Sequence, residues 1–68
     1  MNEDTLNMEV RKYLKKVGVT SQREIEHAVA KAIESGVLKE TATIAVTMTF
    51  NPPAIGLNCC IEGDIALE

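Results

Sequence analysis

The sequence has few aromatic residues, one histidine and two cysteines, and each shortage argues against a class of site. It holds no Trp, one Tyr and one Phe among 68 residues, so we expect no aromatic platform for stacking on nucleic-acid bases. Cys59 and Cys60 are adjacent, and neighbours in a strand point to opposite faces, so an internal disulfide framework is not expected. With a single histidine and scattered carboxylates, we expect no catalytic residues, no cofactor and no metal site.

Long apolar runs and a basic N-terminal segment are also missing. Met1 is followed by Asn2, Glu3 and Asp4, whereas a signal peptide begins with basic residues and a membrane helix needs about 20 apolar ones. We therefore expect a cytoplasmic protein with reduced thiols and no membrane association.

Basic residues are absent from the C-terminal part of the chain, after Lys39. Seven Lys and Arg against ten Asp and Glu give a net charge of −3, which argues against a general nucleic-acid binder. The hairpin half described below is acidic and the helical half is neutral.

A first amphipathic helix is predicted over about 3–17. Its apolar residues recur at helical spacing on an arc of roughly 100°. Asn2 is the expected N-cap, and Gly18 is expected to end the helix in a left-handed conformation.

A second helix is predicted over about 21–35. The segment Ser21–Glu24 has the form of a capping box, and Gly36 is expected to close the helix. Because the connection after Gly18 is so short, the two helices are predicted to fold back on each other as an αα-hairpin.

The last third of the chain alternates apolar and polar side chains, which predicts two antiparallel strands over about 41–50 and 57–67. A proline-rich connection over 51–56 predicts a wide hairpin. The apolar set consists of Ala42, Ile44, Val46, Met48, Phe50, Leu57, Cys59, Ile61, Ile65 and Leu67.

These elements predict one small α+β domain over 1–68, in the order ααββ, with the helical pair on the apolar face of the hairpin. Two strands alone are marginally stable and both are edges. We therefore expect a homodimer, for example by joining two hairpins into a four-stranded sheet. The alternative is a third strand, with Glu62-Gly63 forming a bulge or corner.

The polar residues that could support chemistry each have an ordinary structural explanation. His27 falls on the solvated side of its helix, where a general base is not expected. Cys59 is expected to pack and Cys60 to be accessible, without a base beside it. Glu62 and Asp64 share one face of a strand, where they are expected to aid solubility.

One charge cluster remains as a possible partner-binding site, on the side of the first helix opposite its apolar stripe. It comprises Arg11, Lys12, Lys15 and Lys16. Such a surface can meet an acidic protein surface or phosphate groups. The main hypothesis is a non-enzymatic interaction module acting as a homodimer, with an unidentified protein partner, and the alternative is weak nucleic-acid binding through the basic cluster.

The segments MNED at 1–4, RKYLKKVGVTSQREIE at 11–26 and IEGDI at 61–65 resemble a family of short bacterial proteins of unknown function. The resemblance covers most of the chain. It implies a compact cytoplasmic bacterial protein and no catalytic residues.

Overall fold

The computed structural model describes all residues from 1 to 68 and divides them into two compact units, Met1–Val37 and Leu38–Glu68. The first unit is built on helix α1, Glu3–Glu34. The second contains strand β1, Thr43–Phe50, a short 3₁₀-helix, Pro53–Ile55, and strand β2, Cys59–Ala66. The α+β class is confirmed.

The two ends of α1 form as the sequence predicts. At the start, the Thr5 amide donates to the Asn2 side-chain oxygen at 3.1 Å, which satisfies one of the amides without a helical partner. At the end, Gly36 has φ 79°, and the amides of Gly36 and Val37 donate to Ile33 and Ala32 oxygens. This pair of bonds is a Schellman closure, which glycine favours because it has no Cβ.

The prediction of two N-terminal helices, over 3–17 and 21–35, is wrong. A single helix runs through Gly18, which does not have a positive φ. The capping box does not form either, because Ser21 and Glu24 both lie in the interior of the helix and not at its start. There is consequently no αα-hairpin to cover the sheet.

The physical reason lies in the cost of a helix end compared with the cost of one glycine. A break would leave the last carbonyls of the first helix and the first amides of the second helix without hydrogen-bond partners. Glycine inside a helix costs only about 1 kcal/mol relative to alanine. Leu14 and Ile25 are also eleven residues apart, which is close to three full turns, so the apolar stripe continues in phase across Gly18.

The hairpin follows the predicted alternation, with strands slightly shorter than expected. Register pairs Thr43 with Ala66 and Phe50 with Cys59. The apolar positions of both strands therefore share one face. Gly56 at φ 62° ends the 3₁₀-helix within the connection.

The alternative with a third strand is wrong, since the sheet has two strands. Gly63 pairs directly with Val46 in an unbroken ladder and forms neither a bulge nor a corner.

No residue in either unit is buried. The best-covered side chains are half-buried: Val17, Ser21, Ile25, Val29, Ala32, Ile33, Leu38, Ala42, Ile44, Val46, Pro52, Ile65 and Leu67. A conventional hydrophobic core, with side chains closed off from water, is therefore missing from both units.

Candidate interaction surfaces

The basic cluster, Arg11, Lys12, Lys15 and Lys16, lies in the N-terminal half of α1, and all four side chains are exposed. The helix brings them together because residues three and four apart are neighbours on its surface. Two like-charged pairs at a spacing of four residues oppose helix formation by a few tenths of a kcal/mol each. The cluster is thus a local electrostatic cost that an anionic partner would remove.

Sequence reasoning missed Arg23 as an extension of this cluster, because it assigned that residue to a separate helix. In the continuous α1, Arg23 follows Lys16 by seven residues, which is nearly two turns, and so lies on the same side. No acidic residue occurs between Glu9 and Arg23. The in-phase apolar stripe across Gly18 was the signal that could have revealed this.

A second surface is the apolar stripe of α1. In its N-terminal half, Leu6 is 49% exposed, Val10 45% and Leu14 54%. Towards the C-terminal half, Val17 and Ile25 are half-buried. The large aliphatic side chains at the N-terminal end thus remain in water, where they favour association.

The apolar face of the hairpin is the third surface. Register places Ile44 opposite Ile65, and Met48 opposite Ile61, on this face. Ile44 and Ile65 are half-buried, whereas Ile61 is 62% exposed. The exposed part of the face lies towards the connection between the strands.

The opposite face of the hairpin carries a shallow, open depression around Thr47, Glu62 and Asp64. Its two carboxylates have no further ligand beside them, and the chain has no group of three His, Cys, Asp or Glu that could hold a metal ion.

The histidine belongs to the first unit and the two thiols belong to the second. His27 is exposed on α1, as the sequence predicts. Cys59 and Cys60 are both free and exposed, so the prediction that Cys59 packs is wrong. Cys59 is the first residue of β2, and two strands by themselves cannot enclose a side chain at their end. Cys60 lies opposite Thr49, and the Thr49 hydroxyl is 3.6 Å from the Cys60 sulfur.

Neither helix has the length and apolar character that a membrane crossing requires.

Comparison with known proteins adds a family but no activity. None of the curated proteins and none of the solved structures matches the chain. The model of DUF6494, described as a family of unknown function, matches residues 1–68, which confirms the resemblance to such a family. The chain therefore belongs to DUF6494.

Proposed function

We propose that this chain is a non-enzymatic interaction module that acts as a homodimer. The observation that carries the proposal is the absence of any buried residue in a sequence that is 46% hydrophobic. Folding must offset the conformational entropy of every ordered residue, and burial of apolar area is the main contribution that does so. Association of two copies would supply burial that one copy lacks.

Other means of stabilising a small domain receive no support from this chain. Cys59 and Cys60 are free, and no cluster of metal ligands is present. A 68-residue domain lies near the size below which disulfides, metals or oligomerisation are usually needed. Oligomerisation is the remaining member of that set.

Sedimentation equilibrium across a range from low to high micromolar concentration tests the proposal. We expect a reversible equilibrium between one and two copies. A single species with the mass of one chain at high micromolar concentration, folded by circular dichroism, would contradict it.

A second candidate function is weak binding of nucleic acid through the basic cluster. The support for it is the position of Arg23 on the same side of α1 as Lys12 and Lys16, which lengthens the basic surface. The net charge of −3 acts against it. An unidentified acidic protein would meet the same surface, and direct titration of the wild-type chain with nucleic acid at low ionic strength distinguishes the two.

We further propose that the module works in the cytoplasm. Two exposed free thiols, Cys59 and Cys60, suit a reducing compartment. Alkylation of thiols at the moment of cell lysis, followed by mass spectrometry, should find both cysteines modified. Recovery of a disulfide-linked form would count against this compartment.

A further inference from the structure

The hairpin register shows which main-chain groups point away from each strand's partner. The Leu67 amide donates to the Ala42 oxygen at 3.1 Å, which makes this a hydrogen-bonded pair. Such pairs alternate with pairs whose main-chain groups point outwards. Thr43 with Ala66 is the next pair along the ladder, so it is the outward kind, as is every second pair after it.

The two free edges consequently differ in charge. The outward groups of β1 belong to Thr43, Ala45, Thr47 and Thr49. The outward groups of β2 belong to Cys60, Glu62, Asp64 and Ala66. Charged side chains on an edge strand deter pairing with another chain, whereas β-branched threonine favours it.

We propose that two copies pair antiparallel along their β1 edges, about a two-fold axis at Val46, to form one sheet in the order β2–β1–β1–β2. This inference rests on the proposed homodimer and names the surface that forms it. In this register every outward main-chain group of β1 finds a partner, with Thr43 opposite Thr49 of the other copy and Ala45 opposite Thr47. Threonine pairs across strands are favourable.

The same register aligns the apolar faces of the two hairpins. Val46 meets its own copy at the axis, and Ile44 lies opposite Met48 of the other copy. Directly opposite side chains project from the same face of a sheet. The exposed apolar face of one hairpin thus becomes half of a continuous four-stranded face.

Pairing of two β2 edges is disfavoured on electrostatic grounds. The equivalent register would place Glu62 opposite Asp64 of the other copy, twice, and like charges directly opposite each other destabilise a sheet. Pairing of β1 with β2 would leave one free edge of each kind and allow open-ended growth. Pairing through β1 alone closes the assembly and leaves the acidic edges outside.

A matched pair of proline substitutions tests which edge is used. Thr47 and Glu62 lie opposite each other, and neither amide bonds across the hairpin, so proline removes an outward donor in either strand while sparing the ladder. Thr47→Pro should raise the dimer Kd at least about tenfold. The two-fold axis makes the Thr47 amide bond occur twice in the interface, so the dimer loses two hydrogen bonds. Glu62→Pro should leave the Kd within about threefold of wild type or lower it, because it also removes an acidic charge.

Disulfide trapping tests the register without relying on proline. In a background with Cys59→Ser and Cys60→Ser, Val46→Cys should form a covalent dimer under mild oxidation, because the two thiols meet at the axis. Ile44→Cys and Met48→Cys should each fail alone, since identical positions would lie about 14 Å apart. An equimolar mixture of those two variants should cross-link.

The outcomes separate this inference from the proposed function. A wild-type dimer in which Val46→Cys does not cross-link, or in which Gly63→Cys on β2 cross-links instead, overturns the β1 pairing and leaves the homodimer standing. Equal weakening by both proline variants, with both hairpins folded, also overturns it. A monomeric wild type in sedimentation overturns the homodimer and the inference together.

Discussion

At the scale of single residues, two glycines of the first unit have opposite roles. Gly36 has φ 79° and ends α1, whereas Gly18 has an ordinary helical backbone in the middle of the same helix. A Cβ added at either position meets no atom within 4 Å. Backbone conformation alone therefore decides how alanine would affect each site.

Gly18→Ala should raise the free energy of unfolding by about 1 kcal/mol, because alanine loses less conformational entropy than glycine within a helix. Chemical denaturation followed by circular dichroism at 222 nm measures the change. Gly36→Ala is the control and should lower the same quantity by about 1 kcal/mol, because alanine is strained at positive φ. If Gly18→Ala destabilises the protein instead, α1 is broken at that residue.

Gly63 leaves a gap on the apolar face of the hairpin. A Cβ at this position would lie 4.0 Å from a Val46 methyl group, which is ordinary van der Waals contact. Gly63→Ala should therefore stabilise the protein by about 0.5 kcal/mol, through reduced chain entropy and added contact. Thermal unfolding at fixed concentration measures this, and a lower midpoint would show that the gap is occupied in the assembled protein.

At the scale of elements, α1 carries its charges in blocks. The block from Arg11 to Arg23 contains only basic charged residues, and Glu24 and Glu26 follow it directly. Continuity of the helix places Lys12, Lys16 and Arg23 along one side. A linear polyanion would contact such a row more fully than it would contact two helices folded against each other.

Charge reversal tests this row of residues. If nucleic acid binds, log K falls with log salt, and Lys12→Glu with Lys16→Glu should reduce the magnitude of this negative slope by about 2, because each lysine neutralises about one phosphate. Fluorescence anisotropy with single-stranded RNA and duplex DNA measures the slope. Lys31→Glu with Lys39→Glu is the control, because it changes the net charge by the same amount outside the basic cluster, and it should change the slope much less.

Absence of binding by the wild-type chain at low ionic strength would remove nucleic acid as a partner. In that case, a protein captured by the wild type and lost in the Lys12→Glu, Lys16→Glu variant would assign the basic cluster to a protein partner.

At the scale of the whole molecule, burial is the property that most needs explanation. Each unit is amphipathic, and neither buries a single residue. Exposed aliphatic side chains such as Leu14 and Ile61 favour association, since removing apolar area from water releases about 25 cal/mol per Å². Stability is therefore expected to depend on how many copies associate.

The midpoint of thermal unfolding should rise with protein concentration, because mass action favours the assembled, folded form. Differential scanning calorimetry over a hundredfold range of concentration measures the shift. Thr47→Pro should reduce this dependence and Glu62→Pro should retain it. Coincident midpoints for the wild type at all concentrations would contradict folding coupled to association.

Features that depend on local chemistry could be predicted from the residues alone. Asn2 caps α1 because its side chain can reach an amide three residues on, and Gly36 ends it because glycine tolerates positive φ. Alternation with a period of two placed the apolar residues of both strands on one face. These features need only a few neighbouring residues, so the sequence contains all the information they require.

The outcome of competing local signals, and the main-chain groups that remain unpaired, could be read only from the folded chain. Gly18 could end a helix or lie within one, and the balance between two unsatisfied helix ends and one glycine resolved it in favour of a single α1. The direction in which the main-chain groups of Thr47 and Glu62 point, towards the partner strand or away from it, depends on the register of the two strands. A shift of that register by one residue would exchange inward and outward groups, so the difference between the two edges became visible only in the folded hairpin.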